Sequence, residues 1–271
     1  MCRLTGMTRQ NYYKGRAVRT RRVVDEGLVL ELVRRERARQ PCLGGRKLWQ
    51  MLRGELRAAG VRLGRDQLFA WLRAQDLLIP RRRHAARTTD SRHGLATYPN
   101  LAQALTLTGP HQLLVSDITY IRTQEGFLYL CLVMDAFSRA IVGYDCSDSL
   151  ELEGALRALG QALRQLPRGA ATTHHSDRGL QYCSRAYLER LRAAALTISM
   201  TETNHCYENS QAERLNGILK QEYGLGATFT RKAEVGPAVA EAVQLYNHHR
   251  PHQALDYRLP MVVHQGGPQA A

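Results

Sequence analysis

An aspartate stands in the middle of an apolar, strand-like run, Leu113-Leu114-Val115-Ser116-Asp117-Ile118-Thr119-Tyr120-Ile121, and this placement constrains the fold more than any other feature of the chain. A run that is apolar on both alternating faces reads as a strand covered on both sides. An unpaired carboxylate inside such a strand is costly, and a metal ion is one of the few partners that justify it. Two further acids occupy related settings. Asp177 ends the stretch Ala171 to Ser176 and precedes Arg178-Gly179, which reads as a strand running out into a turn. Glu213 follows after 35 intervening residues, in a proline-free segment from Asn209 to Tyr223 with Leu215, Ile218 and Leu219 at helical spacing. Lys220 lies two helical turns beyond it on the same face. Carboxylates are natural ligands for Mg2+ or Mn2+. Three of them at this spacing suit phosphodiester cutting and rejoining, which uses two divalent cations roughly 3.5–4 Å apart.

The charge of the chain is divided unevenly. Residues 1–100 carry 23 Arg and Lys against eight Asp and Glu, whereas residues 101–271 carry 15 against 16. All of the net +14 therefore lies in the N-terminal part, as expected of a DNA-gripping arm joined to a nearly neutral catalytic domain. A genome rich in G and C could account for the preference for arginine over lysine, but not for this asymmetry. The 271 residues, 44% of them hydrophobic, allow one large domain or two small ones. The longest apolar run, Phe127 to Met134, is far short of the roughly 20 residues that span a bilayer. A soluble protein that stays in the cytoplasm, on the nucleoid, without a membrane partner is the expectation. Six cysteines without a C-x-x-C pair read as reduced structural thiols. Cys2, Cys42, His84 and His93 lack the spacing of a zinc module.

Along the chain, residues 1–30 contain a short capped helix with Tyr12 and Tyr13, a partial helix-turn-helix. Residues 31–90 read as a helical DNA-binding domain. A charged helix over 28–40 is broken at Gly44-Gly45, and an apolar-faced helix follows from Arg46 to Leu56. A further helix, Arg65 to Gln75, places Arg65, Gln67 and Arg73 away from its apolar side, with Arg81, Arg82 and Arg83 positioned for phosphates. A helical hairpin that only packs or dimerises is the alternative. Trp49 and Trp71 read as core rather than as stacking residues. Residues 91–110 form a linker in which Tyr98 to Leu101 could dock on the following domain, 111–265. That domain reads as strands over 112–121, 127–135 and 140–146, a helix 151–166, a strand 172–176, a helix 184–194, a strand 196–200, the glutamate helix and a last helix 231–248. This order suits an α/β mixed five-stranded sheet with flanking helices. Asp135 reads as a turn acid at the connection Ala136 to Arg139, ahead of a fourth-ligand role.

The motifs S-D-I-T-Y-I, H-S-D-R-G-L-Q-Y, C-Y-E-N-S-Q-A-E-R-L-N-G-I-L-K and Y-N-H-H-R-P-H-Q-A-L together resemble the second-frame (OrfB) transposase of the bacterial IS-three insertion-sequence family over nearly the whole chain. The resemblance implies a catalytic core similar to retroviral integrases, of ribonuclease H-like fold, preceded by an all-α helix-turn-helix domain. It makes Asp117, Asp177 and Glu213 the catalytic and metal-binding triad, holding two Mg2+ or Mn2+ ions, with Lys220 on substrate DNA. Departures are Leu114 where a tryptophan is common, and Asn204-His205-Cys206-Tyr207-Glu208-Asn209 in place of G-N-C-Y-D-N. Arg178 and Arg214 are expected on DNA, and His175 and Asn209 as residues bracing the ligands. His175 could instead assist a proton transfer. The implied partners are transposon ends and target DNA, further copies of this chain, and an upstream-frame OrfA product by fusion or association. Two other classes stay open: a nuclease or junction resolvase of the same fold, and a non-catalytic protein that occupies element ends.

Overall fold

The computed structural model describes residues 9–79, 94–202 and 208–266. The chain divides into two compact units, 1–81 and 82–271.

The first unit is all-helical: α1 (Arg9–Arg39), α2 (Gly45–Ala58) and α3 (Arg65–Ala74). α1 runs unbroken through residue 28, so the short helix and the separate charged helix expected from the sequence are one element. Gly15 and Gly27 are the weak points in the span where a break was expected. A lone glycine costs about 1 kcal/mol against alanine, too little to end a helix rich in Arg, Leu and Glu. Val29, Leu32 and Val33 of α1, Leu48, Leu52 and Leu56 of α2, and Leu68 and Leu72 of α3 form one core, at the i, i+4 spacing that puts them on single faces. Trp49 and Trp71 pack against this core, each partly buried.

The second unit is built on a five-stranded sheet of order β3-β2-β1-β4-β5. Its strands are β1 (Leu113–Thr123), β2 (Gly126–Asp135), β3 (Ile141–Ser147), β4 (Thr173–Ser176) and β5 (Thr197–Met200). The first three form an antiparallel meander, while β4 and β5 join parallel. One face is covered by α4 (Leu152–Leu163) together with α5 (Leu180–Cys183) and α6 (Arg185–Ala193), which share a core with Leu114, Cys131, Val133 and Val142. The other is covered by α7 (Ser210–Glu222) and α8 (Val235–His248), packed on Leu113, Val115, Leu132 and Met134. A short α9 (Pro260–His264) follows. Gly143 lets α4 approach the sheet closely, since a Cβ there would lie 2.1 Å from the Ala158 carbonyl oxygen. The segment before β1 does dock, as expected: the Leu101 and Ala102 N–H groups donate to Ser199 Oγ at 2.9 and 3.2 Å, and Arg192 donates to the Tyr98 hydroxyl.

The C-terminal Tyr246-Asn247-His248-His249-Arg250 motif ties elements together. Asn247 accepts from the Ile141 N–H and donates to the Ile141 carbonyl, both at 2.9 Å, fastening α8 to β3. Buried Arg250 makes a two-pronged pair with Glu222 at the end of α7, 2.7 and 3.0 Å, and lies over the Tyr246 ring.

Candidate active site

β1 is buried on both faces only as far as Ser116; from Asp117 to Thr119 it is half-exposed. This corrects the expectation of a strand covered throughout. The cause is topological, because β4 pairs with Leu113, Leu114 and Val115 and then ends, leaving the rest of that edge of β1 open. Asp117 therefore sits where the central strand emerges from the core.

The parallel register brings the second acid to the first. Leu113 pairs with Thr173, Leu114 with His174 and Val115 with His175. Continued by two residues, the same offset puts Asp177 level with Asp117. There Asp177 Oδ1 accepts the Gly179 N–H at 2.9 Å, a local turn that aims the carboxylate. A Cβ on residue 179 would lie 3.0 Å from that oxygen, so glycine is what leaves the carboxylate its place.

α7 supplies the third acid and is pinned at two points beside it. At its N-terminal end, buried Asn209 donates through Nδ2 to the Ser116 carbonyl at 3.0 Å. One turn beyond Glu213, Asn216 donates through Nδ2 to Asp117 Oδ2 at 2.7 Å. Glu213 lies between these two anchors and is exposed, as is Arg214. The electrostatics record the convergence. Burial pushes the Asp117 carboxyl up to about 8, and the Asp177 and Glu213 charges add to the rise, against hydrogen bonds from the Ile118 N–H and Asn216. An aspartate whose proton affinity two neighbouring carboxylates help to raise belongs to a donor set suited to a hard divalent cation, which relieves the repulsion it finds there.

Lys220 is half-buried, with Nζ 4.5 Å from the Tyr120 ring centroid; burial lowers its pKa while Asp117 acts to raise it. Arg178 is half-buried beside Asp177. His175 Nδ1 is 2.8 Å from Ser199 Oγ, the same hydroxyl that receives the docked 101–102 segment. Burial depresses its pKa, which favours the neutral ring. His174 is likewise a structural residue, bonded to Ser116 Oγ at 2.8 Å and Tyr187 Oη at 3.1 Å, and burial holds it down at about 3. Glu208 is engaged by the Asn100 side chain and the Glu202 N–H, which answers where its charge goes. In the helical unit, Arg65, Gln67 and Arg73 are exposed; Arg65 pairs with Asp66 and Gln67 caps its own helix by accepting the Gly64 N–H. Arg81, Arg82 and Arg83 lie outside the described residues, as does His205.

Among the described residues, one group, His111, Asp135 and His264, brings potential metal-ligating atoms all within 4.8 Å of one another. Its hydrogen bonds account for it without an ion. Asp135 Oδ2 accepts the His111 N–H at 2.7 Å, and Oδ1 accepts both the N–H and the hydroxyl of Ser138 at 2.7 Å. The Ser138 hydroxyl is in turn 3.0 Å from His264 Nδ1. Asp135 thus organises the β2–β3 turn and fastens α9 to it, the turn-acid reading. Asn216 lies three residues after Glu213, a spacing that puts both on the site-facing side of α7.

Comparison with known proteins identifies the family. Two family models described as integrase core domain match residues 108–206 and 194–260. The transposase InsF for insertion sequence IS3A of Escherichia coli (strain K12) is 33% identical over 261 residues, covering 93% of this chain and 88% of that protein. The chain belongs to the IS3 family of insertion-sequence transposases. Other IS3-family relatives are the transposase for insertion sequence element IS629 of Shigella sonnei, 34% identical over 87% of this chain and 78% of its own length, and the uncharacterized 31 kDa protein of insertion element IS600 from the same organism, 34% identical over 94% of both chains. In fold, the chain is similar to a component of the simian T-cell lymphotropic virus intasome, solved in complex with PP2A regulatory subunit B56 gamma. The TM-score is 0.50 at 17% identity, covering 84% of this chain and 78% of that one. The mixed sheet with flanking helices is thus the ribonuclease H-like fold of integrase cores.

Proposed function

We propose that this chain is the transposase of an insertion sequence, cutting DNA at the element's ends and transferring the freed 3′-hydroxyl strand to a new phosphodiester. The carrying observation is that the β1–β4 register, with α7 pinned by Asn209 and Asn216, assembles Asp117, Asp177 and Glu213 from distant parts of the chain at one emerging strand. These three carboxylates would hold divalent cations, Mg2+ or Mn2+ and two in number. When bound, such ions supply Lewis-acid polarisation of the phosphoryl group and stabilise the leaving oxygen.

The protein's own residues do the positioning. Asn216 fixes one oxygen of Asp117, and the Gly179 N–H fixes one of Asp177. Lys220 offers a cation to the DNA backbone next to the acids, and Arg178 and Arg214 extend that attraction along the duplex. Asn209 braces the glutamate helix, whereas the neutral, engaged His175 supports the fold around the site and needs no part in proton transfer. Exposed Arg65, Gln67 and Arg73 on α3 serve as the recognition surface of the basic unit, with Arg81 to Arg83 on phosphates. Holding two element ends calls for more than one copy on DNA, and an upstream-frame OrfA product would supply end recognition by fusion or association. Such a protein works on the nucleoid; among the described residues no helix is long and apolar enough to cross a membrane.

An excision assay in cells tests this reading. Wild type is expected to excise a marked element and Asp117→Asn to lose excision while still occupying the ends. Equal excision by both proteins would sink it.

A further inference from the structure

The sheet face that carries Ile118 and Cys131 into the core continues along β1 and β2 into a pair of partly exposed aromatic rings. Tyr120 is 38% exposed and Phe127 45%. The strand register explains their meeting: Arg122 lies opposite Phe127, and Tyr120 one diagonal step away on the same face. Their ring centroids are 5.5 Å apart and nearly perpendicular. Both rings carry cations. The Arg122 guanidinium lies 5.8 Å from the Phe127 centroid, and Lys220 Nζ 4.5 Å from that of Tyr120. Tyr120 is three residues along β1 from Asp117, roughly 10 Å at strand spacing and on the opposite face of the strand, and Lys220 of the glutamate helix links the two, lying over the Tyr120 ring while its charge is felt by Asp117.

Large aromatics left in water beside fixed cations, within one nucleotide or two of a carboxylate site, match the chemistry of an unpaired DNA strand: bases stack on rings while phosphates meet the cations. We infer that Tyr120 and Phe127, flanked by Arg122 and Lys220, form a stacking ledge for unpaired nucleotides at the DNA end being processed. This rests on the transposase reading for the identity of the ligand as DNA. A second copy of this chain is the competing occupant, because exposed aromatics beside arginine also make protein interfaces. The cationic border, with Lys220 reaching the ring from the glutamate helix, favours the nucleic acid.

Stacking is sequence-tolerant, so the test needs no knowledge of the element's ends. The full chain would be titrated with a fluorescent duplex, blunt or bearing a 3′ tail of unpaired thymidines, alongside Tyr120→Leu/Phe127→Leu and the ring-keeping Tyr120→Phe. Wild type and Tyr120→Phe are expected to prefer the tailed duplex. The double leucine variant should lose about 5-fold to 150-fold of that preference, with blunt-duplex affinity and melting temperature unchanged. A wild type without tail preference, or a preference that survives loss of both rings, overturns the ledge. So does a leucine variant whose only change is a smaller oligomeric mass, which would assign the rings to a chain–chain contact. Tail preference lost with the rings in a protein that never cuts DNA would leave the ledge standing and remove the transposase reading instead.

Discussion

At the scale of single residues, Asp117 is the most informative group. Its proton affinity is raised in the folded state, first by burial and then by Asp177, so without metal the native protein holds a proton that the unfolded chain has released. The sign follows: stability falls as pH rises from the ordinary aspartate range, near 4, to about 8, and levels beyond it. Asp117→Asn removes that penalty. In chelator the variant should melt together with wild type near pH 4 and above it at pH 8, by on the order of a few kcal/mol. Mg2+ should narrow the gap by restoring wild type alone. A constant difference across the pH range would show that Asp117 is not the strained group. Gly179 gives a second residue-scale prediction. Alanine there meets Asp177 Oδ1 at 3.0 Å, so Gly179→Ala should slow strand cutting by about tenfold or more while far-UV circular dichroism stays unchanged. Asp117 stands out in the sequence because it interrupts an apolar run, and Asp177 and Glu213 because of their spacing and the motifs around them. The sequence did not disclose which polar neighbours touch them: Asn216 reaches Asp117, while His174 and His175 turn to Ser116 and Ser199.

At the scale of elements, the strand and helix order of the second unit was legible because alternation and 3.6-residue spacing are local signals. The open edge of β1 was not, since it depends on β4 ending after four residues on a neighbouring strand. Nor was the continuity of α1, where the balance between two glycines, each costing about 1 kcal/mol, and many helix-forming residues is a small difference. The C-terminal motif was recognisable as a pattern, yet its work is tertiary. Arg250 is buried and pairs with Glu222, so it locks α7, and with it Glu213, to the segment following α8. Glu222→Ala strands a buried guanidinium and should cost about 3–5 kcal/mol in urea unfolding of the second unit. Replacing both, with Glu222→Ala and Arg250→Met, should recover much of the loss. A single variant as stable as wild type would show that this pair does not hold the helix.

At the scale of the whole molecule, two units of unlike charge share one chain. The basic excess lies entirely within residues 1–100, and the three acids proposed for the site lie in the nearly neutral remainder. Binding and chemistry should therefore separate experimentally. Removing Arg65 and Arg73 together is expected to weaken DNA binding and to flatten its salt dependence by about two units of slope, with little effect on metal-dependent melting of the second unit. An unchanged slope would move the DNA contact elsewhere. The most direct test of the central claim joins both halves: purified protein, alone and fused to the upstream frame, incubated with labelled element-end DNA and Mg2+, wild type beside Glu213→Gln. The account predicts a freed 3′-hydroxyl and a joined strand from wild type, and neither product from Glu213→Gln despite equal end binding. Products of equal yield from both proteins, or end binding without cleavage in every form, would contradict it.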